Sequence, residues 1–186
     1  MIYVATRSAG QGVKAGIVSA MGIMGGCMVH IIAAVVGLSA IIANSAVLFS
    51  IIKYLGATYL VFIGIKMLMS RQRTFNLDPS MEKLTYRKLF FQGVITNVLN
   101  PKVALFFLAF LPQFIDPSKG NSHWQILFLG TWFDFSGTVV NIIVALFFGK
   151  MGGWLSGRPW FLQYQNKIAG SLLVLLGFKV AFGSRN

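Results

Sequence analysis

Apolar residues come in long runs along this chain, divided by short polar segments. Residues 15–52 carry no charge, too long a stretch for one bilayer crossing of about 20 residues. Asn44-Ser45 marks the turn that divides it, giving one span at about 16–42 and another at about 46–69. The polar segment Ser70–Lys88 follows, with Asp78-Pro79 as a turn signal. The next apolar run is 89–111, ended by a loop around Asp116-Pro117-Ser118-Lys119-Gly120-Asn121. A further span covers about 123–148. Lys150–Lys167 is polar, with Gly and Pro, and the last span, about 161–182, is weak at its start. Ahead of them all stands the apolar stub Met1–Ala5. The pattern predicts an all-α integral membrane protein with five complete transmembrane helices and a stub of the first.

Composition agrees: 56% of residues are apolar, 11% are charged, and Phe and Gly are plentiful, as in packed membrane helices. The net charge of +12 does not point to nucleic acid, because the basic residues sit between apolar spans. There they report orientation. Arg7 and Lys14 lie in the first connection, and Arg71, Arg73, Lys83, Arg87 and Lys88 in the third. Lys150, Arg158 and Lys167 lie in or beside the fifth, whereas the alternate connections carry only Lys119, beside Asp116. The basic connections are cytoplasmic by the positive-inside rule. The single cysteine, Cys27, excludes an intramolecular disulfide and a cysteine-rich metal site. No basic leader or cleavage motif opens the chain.

Two pairs of segments read alike. Lys53, Gly56, Ala57, Leu60, Gly64 and Lys66 match Lys167, Gly170, Ser171, Val174, Gly177 and Lys179, with a one-residue slip. Gly26 and His30-Ile31-Ile32-Ala33-Ala34 match Gly137 and Asn141-Ile142-Ile143-Val144-Ala145. The pairs recur in the same order and cross the membrane in opposite senses, as an inverted-topology repeat requires. The expectation is a 3+3 inverted-repeat bundle forming one transporter domain over residues 1–186. Repeat one covers about 1–70, a cytoplasmic loop about 70–88, and repeat two about 89–186.

The segment Asn97-Val98-Leu99-Asn100-Pro101-Lys102 stands inside an apolar span. Pro101 has no N–H, and it pushes Asn100 out of helical geometry. A break at mid-membrane depth is tolerated where it lines a cavity or is buried in protein. In transporters such breaks form binding sites. Lys102 is then a candidate for a substrate carboxylate, with Asn97, Asn100 and Pro101 beside it; pairing of Lys102 with Asp134 is the structural alternative. Gln92, Thr96 and Asn100 fall on one helical face. Asp134 is the one acid well inside a span, on a stripe with Gly137 and with Asn141, a further substrate-binding candidate. It is a candidate for a substrate ammonium or a coupling proton, or a structural partner of Lys102. His30 shares a stripe with Gly22, Gly26, Ala34 and Gly37, and is a candidate for a proton or a substrate ammonium, or a buried, hydrogen-bonded histidine. Cys27 and His30 do not suffice for a metal site.

These residues resemble the LysE/RhtB family of bacterial amino-acid exporters. The resemblance rests on Thr6-Arg7-Ser8, Gln11-Gly12, Ala15-Gly16, Gly37-Leu38-Ser39-Ala40 and Leu55-Gly56-Ala57 with Tyr59-Leu60. It continues through Gln92-Gly93, Asn97 and Asn100-Pro101-Lys102 to the run Leu105–Phe114. It implies about six helices in the bacterial cytoplasmic (inner) membrane and outward transport of amino acids or their analogues, coupled to protons. It also implies a Pro-Gly-Pro motif just before the residue matched by Met1, so the chain reads as an N-terminally shortened exporter. A chain without that first helix is expected to lack half of a two-sided site and not to export. The expected partners are an amino-acid substrate, membrane lipid and, in a homo-oligomer, a second copy; no cofactor, metal or nucleic acid is expected. The alternatives are a metal-cation exporter, disfavoured by the midspan lysine, and a non-functional truncated membrane fragment or subunit. An intramembrane enzyme would need an acid pair or a nucleophile–base pair at depth.

Overall fold

The computed structural model describes residues 1–38, 46–69, 82–155 and 160–182. The predicted turns at Asn44-Ser45 and Asp78-Pro79 lie outside them. Among the described residues there is no strand, and a helix stands at each predicted span. Helix α1 is Ile2–Gln11, α2 is Val13–Ala33 and α3 is Ala46–Leu68. Helix α4, Tyr86–Val98, and α5, Pro101–Leu105, share the span interrupted by proline. Helix α6 is Ser122–Leu155 and α7 is Trp160–Phe182. The segments Val13–Gly37, Ser50–Leu68 and Ser122–Met151 are long and apolar enough to cross a membrane, and Tyr86–Val98 with Pro101–Phe114 adds a fourth if counted as one span. In α7, Gln163, Gln165, Asn166 and Lys167 dilute the first half.

Two boundaries differ from the hydrophobic pattern. The stub is longer, a ten-residue helix that continues past Arg7 to Gln11. It stops at Gly12, whose φ of 88° suits glycine. Helix α6 runs through Lys150, Gly152 and Gly153 to Leu155. Its 34 residues, about 51 Å at 1.5 Å each, outreach a hydrocarbon core of about 30 Å. Hydropathy marks where apolar side chains end, whereas backbone hydrogen bonding continues beyond.

The chain forms two compact units, each assembled from separated stretches. The first comprises Met1–Met28, Gln72–Leu99 and Phe133–Leu162. In it α2 and α4 cross at glycines. A Cβ at Gly93 would stand 2.8 Å from the Ser19 carbonyl oxygen, and one at Gly22 would collide with the Phe90 carbonyl. Backbones this close require small residues. Helices α1, α2 and α6 meet at Val4, Ala20 and Ala145, packed with Ile17, Ile23 and Ile142. Helix α1 is tied to α4 and its lead-in. Tyr3 donates to the Leu89 carbonyl at 2.7 Å, and the Gln11 amide donates to the Leu84 carbonyl at 3.0 Å while accepting from its N–H at 3.2 Å. Arg7 donates to Gln92 Oε1 at 3.2 Å.

The second unit comprises Val29–Arg71, Asn100–Trp132 and Gln163–Asn186. Here α3 and α7 pack through the segments that read alike in the sequence. A Cβ at Gly64 would stand 2.8 Å from the Gly170 carbonyl oxygen, and one at Gly177 would stand 2.9 Å from that of Ala57. Ala57, Leu60, Leu173 and Val180 form the core there, with Met67 and Phe110 against it. After α5 the helix widens into a π turn at Phe106–Phe110 and tightens to a 3-10 turn at Leu111–Phe114. A second π turn, Ala34–Leu38, extends α2. The loop after Phe114 is held by Gln125, which accepts from the Asp116 N–H at 2.9 Å and donates to its carbonyl at 2.8 Å.

Candidate functional site

The proline breaks its span as the sequence requires. Helix α4 ends at Val98, and Asn100 is extended, with φ −84° and ψ 105°. Its side-chain oxygen accepts from the Lys102 N–H at 3.0 Å, so Asn100 caps the helical run that Pro101 opens. Lys102 is half-buried. Its ammonium meets Met67 Sδ on α3 at 3.4 Å. A thioether is a weak acceptor, and an ammonium has three donors to place. Among the described residues of this unit, no carboxylate pairs with Lys102. His30 belongs to the same unit and stacks on Phe107, with ring centroids 6.2 Å apart and planes 14° apart. Phe107 sits in the π turn that follows α5.

The first unit holds the other candidates. Asn97 is buried on α4, donating from Nδ2 to the Ile23 carbonyl of α2 at 2.6 Å. A Cβ on the facing Gly26 would stand 2.7 Å from that of Asn97. On α6, Asp134, Thr138 and Asn141 are all buried. They repeat at i, i+4 and i+7 and share one face. The Cys27 thiol of α2 hydrogen-bonds to the Asp134 carboxylate.

The predicted residues thus fall into two groups, each within its own unit. Asn100, Pro101, Lys102 and His30 lie in one; Asn97, Asp134 and Asn141 lie in the other. The predicted face of Gln92, Thr96 and Asn100 needs correction. Gln92 and Thr96 are exposed, and the buried stripe of α4 is Leu89, Gly93 and Asn97. Asn100 lies beyond the helix end, so the i+8 extrapolation does not reach it. Sequence reasoning missed Ser19, Thr138 and the Cys27–Asp134 contact. Thr138, one turn from Asp134 on the same stripe, was readable. Ser19 was not, because nothing in an apolar helix tells which serine faces a partner.

A family model for the LysE type translocator matches residues 1–184. The chain belongs to the LysE-type translocator family. Among the curated relatives of this translocator is the uncharacterized membrane protein YrhP of Bacillus subtilis, 32% identical over 90% of this chain and 83% of its own. A homoserine/homoserine lactone efflux protein of Salmonella typhimurium is 30% identical over 95% of this chain and 84% of its own. A leucine efflux protein of the same species is 27% identical over 94% of this chain and 81% of its own. No solved structure matches the chain. Family and helices together make this translocator a multi-pass membrane protein.

Proposed function

We propose that this LysE-type translocator is a secondary exporter of amino acids or close analogues, driven by a proton gradient. The efflux activities named for its relatives supply the substrate class. The observation that carries the reading is Lys102: a half-buried ammonium just past a helix break, spent on a thioether. A charge held at depth is costly unless it serves a path or a partner. An α-carboxylate answers its unspent donors. Within the first unit, Asp134 is the group suited to a coupling proton. A metal cargo finds no comparable support: among the described residues no group of three or more His, Cys, Asp or Glu side chains gathers.

The test is efflux from proteoliposomes containing the full-length protein, with a panel of labelled amino acids. Asp134→Asn should leave substrate exchange measurable while removing its dependence on an imposed pH gradient. Unchanged gradient dependence in that variant would rule out the proton role. Failure of every amino acid to move would reject the substrate class.

A further inference from the structure

The ammonium of Lys102 rests on a weak acceptor. Its backbone is fixed, because Asn100 Oδ1 accepts from the Lys102 N–H at 3.0 Å. Its side chain reaches α3, where Nζ donates to Met67 Sδ at 3.4 Å. An ammonium held at membrane depth ordinarily pairs with a carboxylate. The second unit has almost none to offer. Across Val29–Arg71, Asn100–Trp132 and Gln163–Asn186 the sequence holds one acidic side chain, Asp116. That carboxylate lies in the loop after Phe114. It already accepts from the Ser118 hydroxyl and N–H, with Lys119 Nζ 3.7 Å away.

Met67 is placed to yield. It packs, with Ile63 and Phe110, against the core that α3 and α7 share. Met67 and Lys102 are both half-buried, so each keeps part of its surface open. A methionine side chain is unbranched and has three rotatable bonds, so its sulfur turns aside without moving the backbone. A thioether is also uncharged at every pH. It neither neutralises an ammonium nor repels a carboxylate, and as an acceptor it is outmatched by one.

We propose that Met67 is a positioning residue: its sulfur holds the Lys102 ammonium while the site is empty and yields it to the carboxylate of the substrate. Binding exchanges one hydrogen bond for a stronger one. The Nζ–H···S contact breaks, an Nζ–H···O contact to the carboxylate forms, and the lysine keeps its protons. On release the sulfur takes the ammonium back, which offsets part of what is lost with the carboxylate. A carboxylate at this place on α3 would hold the ammonium permanently. An alkyl side chain would leave the ammonium bare and the substrate slow to depart. A thioether lies between the two, as a site that must both bind and release requires.

The inference rests on the reading that Lys102 binds the substrate carboxylate. Met67→norleucine replaces the sulfur with a methylene and keeps the shape of the chain. Met67→Leu removes the same acceptor with a residue of similar volume. Each full-length protein is reconstituted in proteoliposomes, with the amino acid that the wild type exports fastest as the labelled probe. Both substitutions should tighten binding by roughly two- to fivefold, the worth of one weak acceptor, with KM lowered and kcat not raised. The carboxamide of the same amino acid, which draws less on the ammonium, should gain less. In a Lys102→Met background the Met67 substitutions should change nothing. A packing role alone would leave affinity in Met67→norleucine at the wild-type value. Unchanged or weaker affinity in Met67→norleucine, or tightening that persists without Lys102, would overturn the proposal. If Lys102→Met binds and exports as the wild type does, the carboxylate reading falls and this inference with it. If Lys102→Met loses affinity while both Met67 variants match the wild type, this inference alone falls.

Discussion

At Asn100 the backbone leaves the helix and the side chain turns back to the Lys102 N–H at 3.0 Å. Proline dictates the first event, and the amide makes use of it. An extended residue directly before a helical run is where a side-chain oxygen can reach the second N–H. Asn100→Ala should lower stability by about 1 kcal/mol, the ordinary worth of such a cap, and Asn100→Asp should restore most of it. Thermal unfolding in detergent measures both. The break itself was legible from Pro101 alone. The partner of Lys102 was not, because Met67 lies on a different helix and nothing in a single sequence pairs those positions.

Between elements, glycine decides which helices approach. The α2–α4 crossing leaves no room at Gly93, whereas Gly137 on α6 faces open space. Gly93→Val should destabilise by roughly 1–3 kcal/mol, the usual cost of overpacking, while Gly137→Ala should be neutral or slightly stabilising. Unfolding of the two variants side by side separates these outcomes. The helices at the five predicted spans were readable because a row of about 20 apolar residues has few uses besides crossing a bilayer; among the described residues three of them, or four with the broken pair, are long and apolar enough to cross. The end of α6 was not, since Lys150, Gly152 and Gly153 look like a loop to hydropathy while the backbone keeps its hydrogen bonds. The stripe on α4 was shifted by one residue for a similar reason: Gln92 and Gly93 are both plausible interior residues until the close approach of α2 is seen. The loop after Phe114 has its own pH response. Ser118 donates to the Asp116 carboxylate from its hydroxyl at 2.6 Å and its N–H at 3.0 Å, holding that carboxyl below its ordinary value. A lowered folded value means the loop's ordering is complete above the ordinary carboxylate range and is lost as pH falls through the lowered value. An NMR titration should find the Asp116 midpoint below that of a free aspartate, and Ser118→Ala should move it up.

Across the whole molecule, family, helices and relatives agree on a multi-pass translocator. What the sequence pattern could not supply is how the candidate residues group. Lys102 with Asn100 and His30 falls in one unit, and Asp134 with Asn97 and Asn141 in the other. Contiguity along the chain hides this, because Asn97 and Lys102 stand five positions apart and yet belong to different units. The central claim is that Lys102 binds the carboxylate of an exported amino acid. The most direct measurement is the initial efflux rate of a transported amino acid from proteoliposomes, wild type against Lys102→Met, with insertion of both verified. Losing charge-assisted hydrogen bonds of about 1.5–3 kcal/mol should lower kcat/KM by roughly ten- to a hundredfold, and amino acids amidated at the carboxylate should discriminate little between the two proteins. Equal efflux of the free amino acid by wild type and Lys102→Met would contradict the assignment.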